Sequence, residues 1–131
     1  MATVTKTIGS AGGRDYSTIE AWEADLDNTG IYGSGDTAIG SVYDDSAFTI
    51  SATVSIAFAN NPGIAEVLLE GFYGDWHYGV AGNGARLVGS GISGPMLSVD
   101  AVGGAAFGIR WLEINGNDQA SAGIRISESG G

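Results

Sequence analysis

The chain has 131 residues, 44% of them hydrophobic, enough for one domain that buries roughly two-thirds of its unfolded surface. Its formal charge of −10 comes from 5 basic and 15 acidic side chains spread along the length, a balance that argues against binding nucleic acid or an anionic membrane surface. There is no cysteine, so disulfides and thiolate metal sites are excluded, and no run approaches the ~18 apolar residues of a membrane span.

Residues 2–8 alternate Val4, Lys6 and Ile8 with Thr3, Thr5 and Thr7, a pattern that predicts a first strand. Residues 1–6 carry no apolar signal-peptide core. After a turn at 9–13, Ser17-Thr18-Ile19-Glu20 reads as a capping box with Ser17 as N-cap and Glu20 three residues on. Ile19, Trp22 and Leu26 then fall on one helical stripe, with Ala21 and Ala24 alongside, and Asn28-Thr29-Gly30 reads as the C-cap. The helix is expected to pack Ile19 and Trp22 onto an exposed core. Residues 31–36 read as a loop. Residues 37–43, 48–58 and 65–72 are β-prone, separated by turns at Asp44-Asp45-Ser46 and Asn60-Asn61-Pro62-Gly63. Val67, Leu69 and Gly71 share one face of the last of these. Phe72, Tyr73, Trp76, His77 and Tyr78 form an aromatic loop, followed by a turn at Asn83-Gly84.

The last third reads as two copies of one template. Arg86-Leu87-Val88-Gly89-Ser90-Gly91 is answered by Trp111-Leu112-Glu113-Ile114-Asn115-Gly116 at an offset of 25, and residues 96–100 by 124–128 at 27 to 28. Short alternating strands with a fixed period and no intervening helical pattern suggest stacked parallel strands. The 23 glycines show no Gly-X-Y period and lie between apolar runs, where tight corners need positive φ.

The run Asp15-Tyr16-Ser17-Thr18-Ile19-Glu20-Ala21-Trp22 on a helix after a short strand, followed by Gly-rich strands, resembles the start of right-handed parallel β-helix proteins of the pectate-lyase-like superfamily, which includes phage tailspikes and fibres. The resemblance covers residues 1–26 and 86–128 and implies an all-β fold: a short right-handed parallel β-helix, or β-solenoid, with one N-terminal capping α-helix. A single domain, 1–131, divides on this view into the strand and capping helix (1–36) and the coils (37–131). The corners after Leu87 and Leu112 would place Gly or Asn in the left-handed conformation. The sequence stops in mid-coil on this register, so the expectation is a fragment or an end closed by another subunit. The fold itself carries lyases, hydrolases, adhesins and inert stalks alike.

Candidate chemistry is sparse. Gly89-Ser90-Gly91-Ile92-Ser93-Gly94 matches G-x-G-x-x-G, but Pro95 and a β-prone run follow where a dinucleotide site needs a helix, so the glycines read as corners and no cofactor is expected. His77 is the sole histidine, flanked by Trp76 and Tyr78, and no nucleophile or metal signature accompanies it. Phe72, Tyr73, Trp76, His77 and Tyr78 are therefore candidates for stacking on a glycan. Asp44, Asp45, Glu70, Asp75 and Glu113 are the candidate acid/base carboxylates, without the spacing of a glycosidase or the Ca²⁺-and-Arg pattern of a pectate lyase. Arg110 and Arg125 lie on strands without an acidic cluster beside either in sequence. Asn115-Gly116-Asn117-Asp118 is oxygen-rich but lacks the spaced aspartates of a Ca²⁺ loop, so it reads as a turn and no metal site is expected. The expectation is a non-catalytic structural solenoid of a virion, as a head decoration, fibre or tailspike base, assembled as a homo-oligomer with a trimer favoured. A truncated polysaccharide lyase or hydrolase and a carbohydrate-binding module are the alternatives.

Overall fold

The computed structural model describes all residues except 59, 62, 77–79, 102–104, 119–121 and 129–131, and the side chains of 101, 122, 127 and 128 are also left aside. The described residues form ten strands and little helix. The strands are β1 (Thr3–Ile8), β2 (Thr37–Val42), β3 (Phe48–Ile50), β4 (Val54–Ala57), β5 (Glu66–Gly71), β6 (Arg86–Gly89), β7 (Pro95–Ala101), β8 (Ala106–Arg110), β9 (Glu113–Asn115) and β10 (Ala122–Glu128). Every pairing between them is parallel.

The strands make three sheets, in the orders β1-β2-β5-β8, β3-β6-β9 and β4-β7-β10. The chain visits these sheets in rotation: β2, β3, β4; then β5, β6, β7; then β8, β9, β10. Each strand therefore lies beside its equivalent from the previous circuit, and side chains one circuit apart stack on the same face. Inward positions are apolar. Ile8, Val42, Val67, Leu69, Leu87, Leu97 and Val99 are fully buried between the sheets. No helix among the described residues is long and apolar enough to cross a membrane.

Both repeat offsets are 27: Arg86 pairs with Glu113, and Leu97 with Ile124. The offset of 25 read from sequence for the first block is thus corrected by two residues. A two-residue slip preserves the inward/outward alternation, so alternation alone cannot choose between them. The corners choose: a Cβ at Gly89 would lie 2.7 Å from the carbonyl of Gly116, so glycine stacks over glycine at an offset of 27. At the corners that follow β6 and β9 the left-handed residues are Gly91 (φ 67°), Asn117 (φ 53°) and Asp118 (φ 56°), rather than Asn115 or Gly116. Gly91 and Asp118 are again 27 apart. Residues 89–94 turn directly into β7, and no helix opens there.

The helix α1 (Ile19–Ala24) packs against β1 and β4. Its N-cap is Thr18, whose hydroxyl accepts the Ala21 N–H at 3.1 Å; this corrects the expected Ser17 cap by one residue. A 3₁₀ turn (Asp25–Asp27) carries the chain to Asn28, which caps it at φ −85°, so the stop does not use a glycine. Ile19, Trp22 and Leu26 are all fully buried, as their spacing predicts. Trp22 fits because β2 has a glycine beneath it: a Cβ at Gly40 would lie 2.8 Å from Trp22 Cε2. Asn61, 3% exposed, donates through Nδ2 to the carbonyls of Leu26 (3.1 Å) and Tyr32 (2.8 Å), tying the end of the helical segment to the sheets.

Candidate functional site

One corner of the molecule, where the chain leaves the four-stranded sheet for the β3-β6-β9 sheet, concentrates the aromatic side chains. The connection there has five residues in the first circuit (43–47), fourteen in the second (72–85) and two in the third (111–112). Because Val42 pairs with Gly71, Tyr43 and Phe72 leave their strands at equivalent points. Their rings stack at 4.1 Å and 12°. The Arg14 guanidinium lies 3.5 Å from the centre of the Tyr43 ring. Arg14 is fixed there by a two-pronged pair with Asp45, Nε–Oδ2 at 2.9 Å and Nη2–Oδ1 at 2.7 Å. Those charge-assisted bonds hold the Asp45 carboxyl below its usual range, helped by the Ala11 N–H.

The long second connection folds back on the third circuit. Trp76 donates from Nε1 to the Gly71 carbonyl at 3.1 Å and stacks on Trp111 at 4.2 Å and 17°. Tyr73 meets Trp76 edge-on at 5.1 Å and 74°. Gly71 makes the approach feasible, since a Cβ there would collide with the Trp111 carbonyl. Trp111 has φ 58°, a left-handed conformation that costs a bulky residue on the order of 1–3 kcal/mol. Ring stacking of about 0.5–1.5 kcal/mol offsets part of that cost. Trp111 and Tyr73 remain 45% and 73% exposed.

Of the aromatic residues singled out in sequence, Phe72, Tyr73 and Trp76 belong to this corner, whereas His77 and Tyr78 lie outside the described residues. Phe72 stacks on Tyr43 and does not offer a free ring on that side. Tyr43, Trp111 and Arg14 belong to the cluster and were not singled out as site residues. Their signal was weak: Tyr43 directly follows a strand, and Trp111 opens the second repeat block. Neither is adjacent in sequence to the aromatic loop.

Four of the five candidate carboxylates are engaged in structural contacts. Asp45 holds Arg14, Glu70 accepts from Arg110 across the β5–β8 ladder, Asp75 accepts the Asp44 N–H at 2.9 Å, and Glu113 accepts the Gly82 N–H at 2.6 Å. Arg110 thus has an acidic partner 40 residues away, which its own sequence neighbourhood did not reveal. Asn115 Oδ1 accepts the Asn117 N–H at 2.9 Å, an Asx-type turn. Among the described residues no group of three His, Cys, Asp or Glu side chains is placed to hold a metal ion. Comparison with family models, curated proteins and solved structures returned no match to this chain.

Proposed function

We propose that the chain is a structural building element: a short right-handed parallel β-helix, closed at its N-terminal end by the segment containing α1, that serves as a non-catalytic component of a virion such as a head decoration, fibre or tailspike base. The observation that carries this reading is the rotation of the chain through three all-parallel sheets, with a continuous buried core running through the circuits. Stacked circuits of this kind give a stiff scaffold in which each circuit is held by its neighbours. The candidate carboxylates engaged in backbone and ion-pair contacts support a scaffold over an enzyme. An immunoblot of gradient-purified particles from the producing cell tests the assignment. The chain is expected to sediment with particles and to resist protease; recovery only in the unsedimented fraction would count against a virion role. Formation of unsaturated products from uronate polymers would instead favour a truncated lyase.

A second reading, a carbohydrate-binding surface, is favoured by one observation: Trp111 is held in a costly backbone conformation and, though stacked on Trp76, still exposes nearly half its surface, and Tyr73, edge-on to Trp76, is exposed as well. Aromatic faces of this kind suit the apolar face of a sugar ring. The net charge of −10 points to uncharged polysaccharides rather than uronates. On a glycan array, binding that is lost in Trp111→Ala and in Tyr73→Ala would establish this reading. Binding unaltered by both substitutions, or none at all, would remove it.

A further inference from the structure

Asn83 and Asn115 each precede a glycine. In such a pair the glycine amide nitrogen can attack the asparagine side-chain carbonyl carbon, because the following residue has no Cβ to obstruct the approach. A C–N bond forms, the side-chain amide leaves as ammonia, and a cyclic imide results. Water then opens the imide at either carbonyl, which leaves aspartate or isoaspartate. Ring closure needs a free side chain and a backbone able to rotate at the asparagine. The fold therefore decides which of the two pairs reacts.

At Asn115 both requirements are obstructed. The residue ends β9 and stands in register with Val88 of β6. Its Oδ1 accepts the Asn117 N–H at 2.9 Å. The corner beyond it is fixed by the left-handed Asn117 and Asp118, and Asn117 Nδ2 reaches the Gly89 carbonyl at 3.4 Å. Attack at this position has to wait for β9 to part from β6.

At Asn83 both requirements are met. The residue is exposed and lies between β5 and β6, outside every strand and helix. Its backbone N–H donates to the Val80 carbonyl at 3.2 Å. Among the described residues neither its side chain nor the Gly84 N–H has a hydrogen-bond partner. Gly84 has φ 75°, a conformation that glycine adopts without strain, so the residue that permits the attack is one the turn requires.

The consequence reaches the aromatic corner. The Ala85 N–H donates to the Asp75 carbonyl at 2.9 Å, and the Ala85 carbonyl accepts the Glu113 N–H at 3.1 Å. The Gly82 N–H donates to Glu113 Oε2 at 2.6 Å. Asn83 thus sits between two residues held to Glu113, and the same ties set Asp75, next to Trp76, against the segment that carries Trp111. Isoaspartate lengthens the main chain by one methylene inside this span. Either product also adds a carboxylate next to a residue already bound by one, and like charges repel.

We propose that Asn83 is a site of spontaneous, imide-mediated modification in the folded chain, and that its conversion to isoaspartate loosens the 72–85 connection from β9. The purified chain is incubated at mildly alkaline pH, folded and in urea, and digested with trypsin. Cleavage at the arginines puts the two sites on separate peptides, 15–86 and 111–125. Tandem mass spectrometry and labelling by an isoaspartate methyltransferase locate the products. In urea both asparagines are expected to convert. In the folded chain Asn83 should convert at close to its urea rate, and Asn115 at least about tenfold more slowly than in urea, because its reaction waits on a local opening. Equal rates at the two sites in the folded chain, or protection of Asn83 by folding, would overturn the proposal. Asn83→Ala should abolish the acidic form that isoelectric focusing resolves in aged protein; persistence of that form would place the chemistry elsewhere. Near-ultraviolet circular dichroism reads the stacked Trp76 and Trp111 rings. The signal of the aged chain should fall toward that of Trp76→Ala, while aged Asn83→Ala keeps its own. A signal that ageing leaves unchanged would overturn the loosening.

Discussion

At the N-terminal end Trp22 is fully buried over Gly40 and the edge amides of Thr7 and Ala57 are held by carboxylates, whereas at the other end Ile124 and Ile126 repeat the core pattern and are 40% and 66% exposed. The same alternating strand thus has different energetic weight depending on what lies beyond it. Burial comes from the next circuit or from a cap, and the strand pattern alone does not provide it. Substitutions that are equivalent in sequence should consequently differ widely in cost from one end to the other.

The largest effect is expected at the N-terminal end. Trp22→Ala removes a fully buried indole and should cost roughly 3–5 kcal/mol in urea unfolding. A loss below about 1 kcal/mol would mean that the helix is not part of the cooperative core. Asn61→Leu should come next, at about 2–3 kcal/mol, because the carbonyls of Leu26 and Tyr32 would lose their buried donor. Within one column, Leu97→Ala should cost roughly 2–5 kcal/mol. Ile126→Ala, measured in dilute protein, should cost less than about 1 kcal/mol, in keeping with its 66% exposure. Equal costs at positions 97 and 126 would erase the difference between the interior and the open end.

The N-terminal end should also respond to acid. Asp15 is held below the usual carboxylate range chiefly by the Thr7 N–H, Asp36 by those of Gly33 and Ala2, and Asp45 by Arg14. A carboxylate whose folded pKa lies below its unfolded value, about 3.9 for Asp, contributes stability above that value and loses it as pH falls through the folded pKa. Glu23 runs the other way, because burial raises its pKa despite the Ala57 N–H, so its ionisation costs stability near neutrality. Urea midpoints are therefore expected to stay flat or rise slightly from pH 7 to about pH 5 and to fall below about pH 4. Glu23→Gln should flatten the upper part of that profile, and a profile that falls steadily from pH 7 would contradict these assignments.

Much of the strand content was legible because Val4/Ile8, Val67/Leu69 and Leu97/Val99 alternate plainly, and the helix because Ile19, Trp22 and Leu26 share a stripe. The Ser17 cap misled because Thr18 caps equally well, and the packing of Trp22 over Gly40 is a tertiary fact that no local motif carries. The register of 25 failed because a slip of two keeps every side chain on its face. The aromatic corner was half legible. Phe72, Tyr73 and Trp76 sit together in sequence, but the stack of Trp76 on Trp111 depends on a fourteen-residue connection folding back across a circuit, and no periodicity marks where such a connection lands.

The 27-residue register shared by two sheets is the most direct point of attack, and the absence of cysteine makes it accessible. In oxidation of double-cysteine variants, Val88→Cys with Asn115→Cys and Ser98→Cys with Arg125→Cys should both link rapidly within one chain, because each pair is in register on an outward face. Val88→Cys with Glu113→Cys, at the offset of 25, should link slowly. Rapid linking of that last pair with failure of the first two would contradict the 27-residue register on which the account of these two sheets stands.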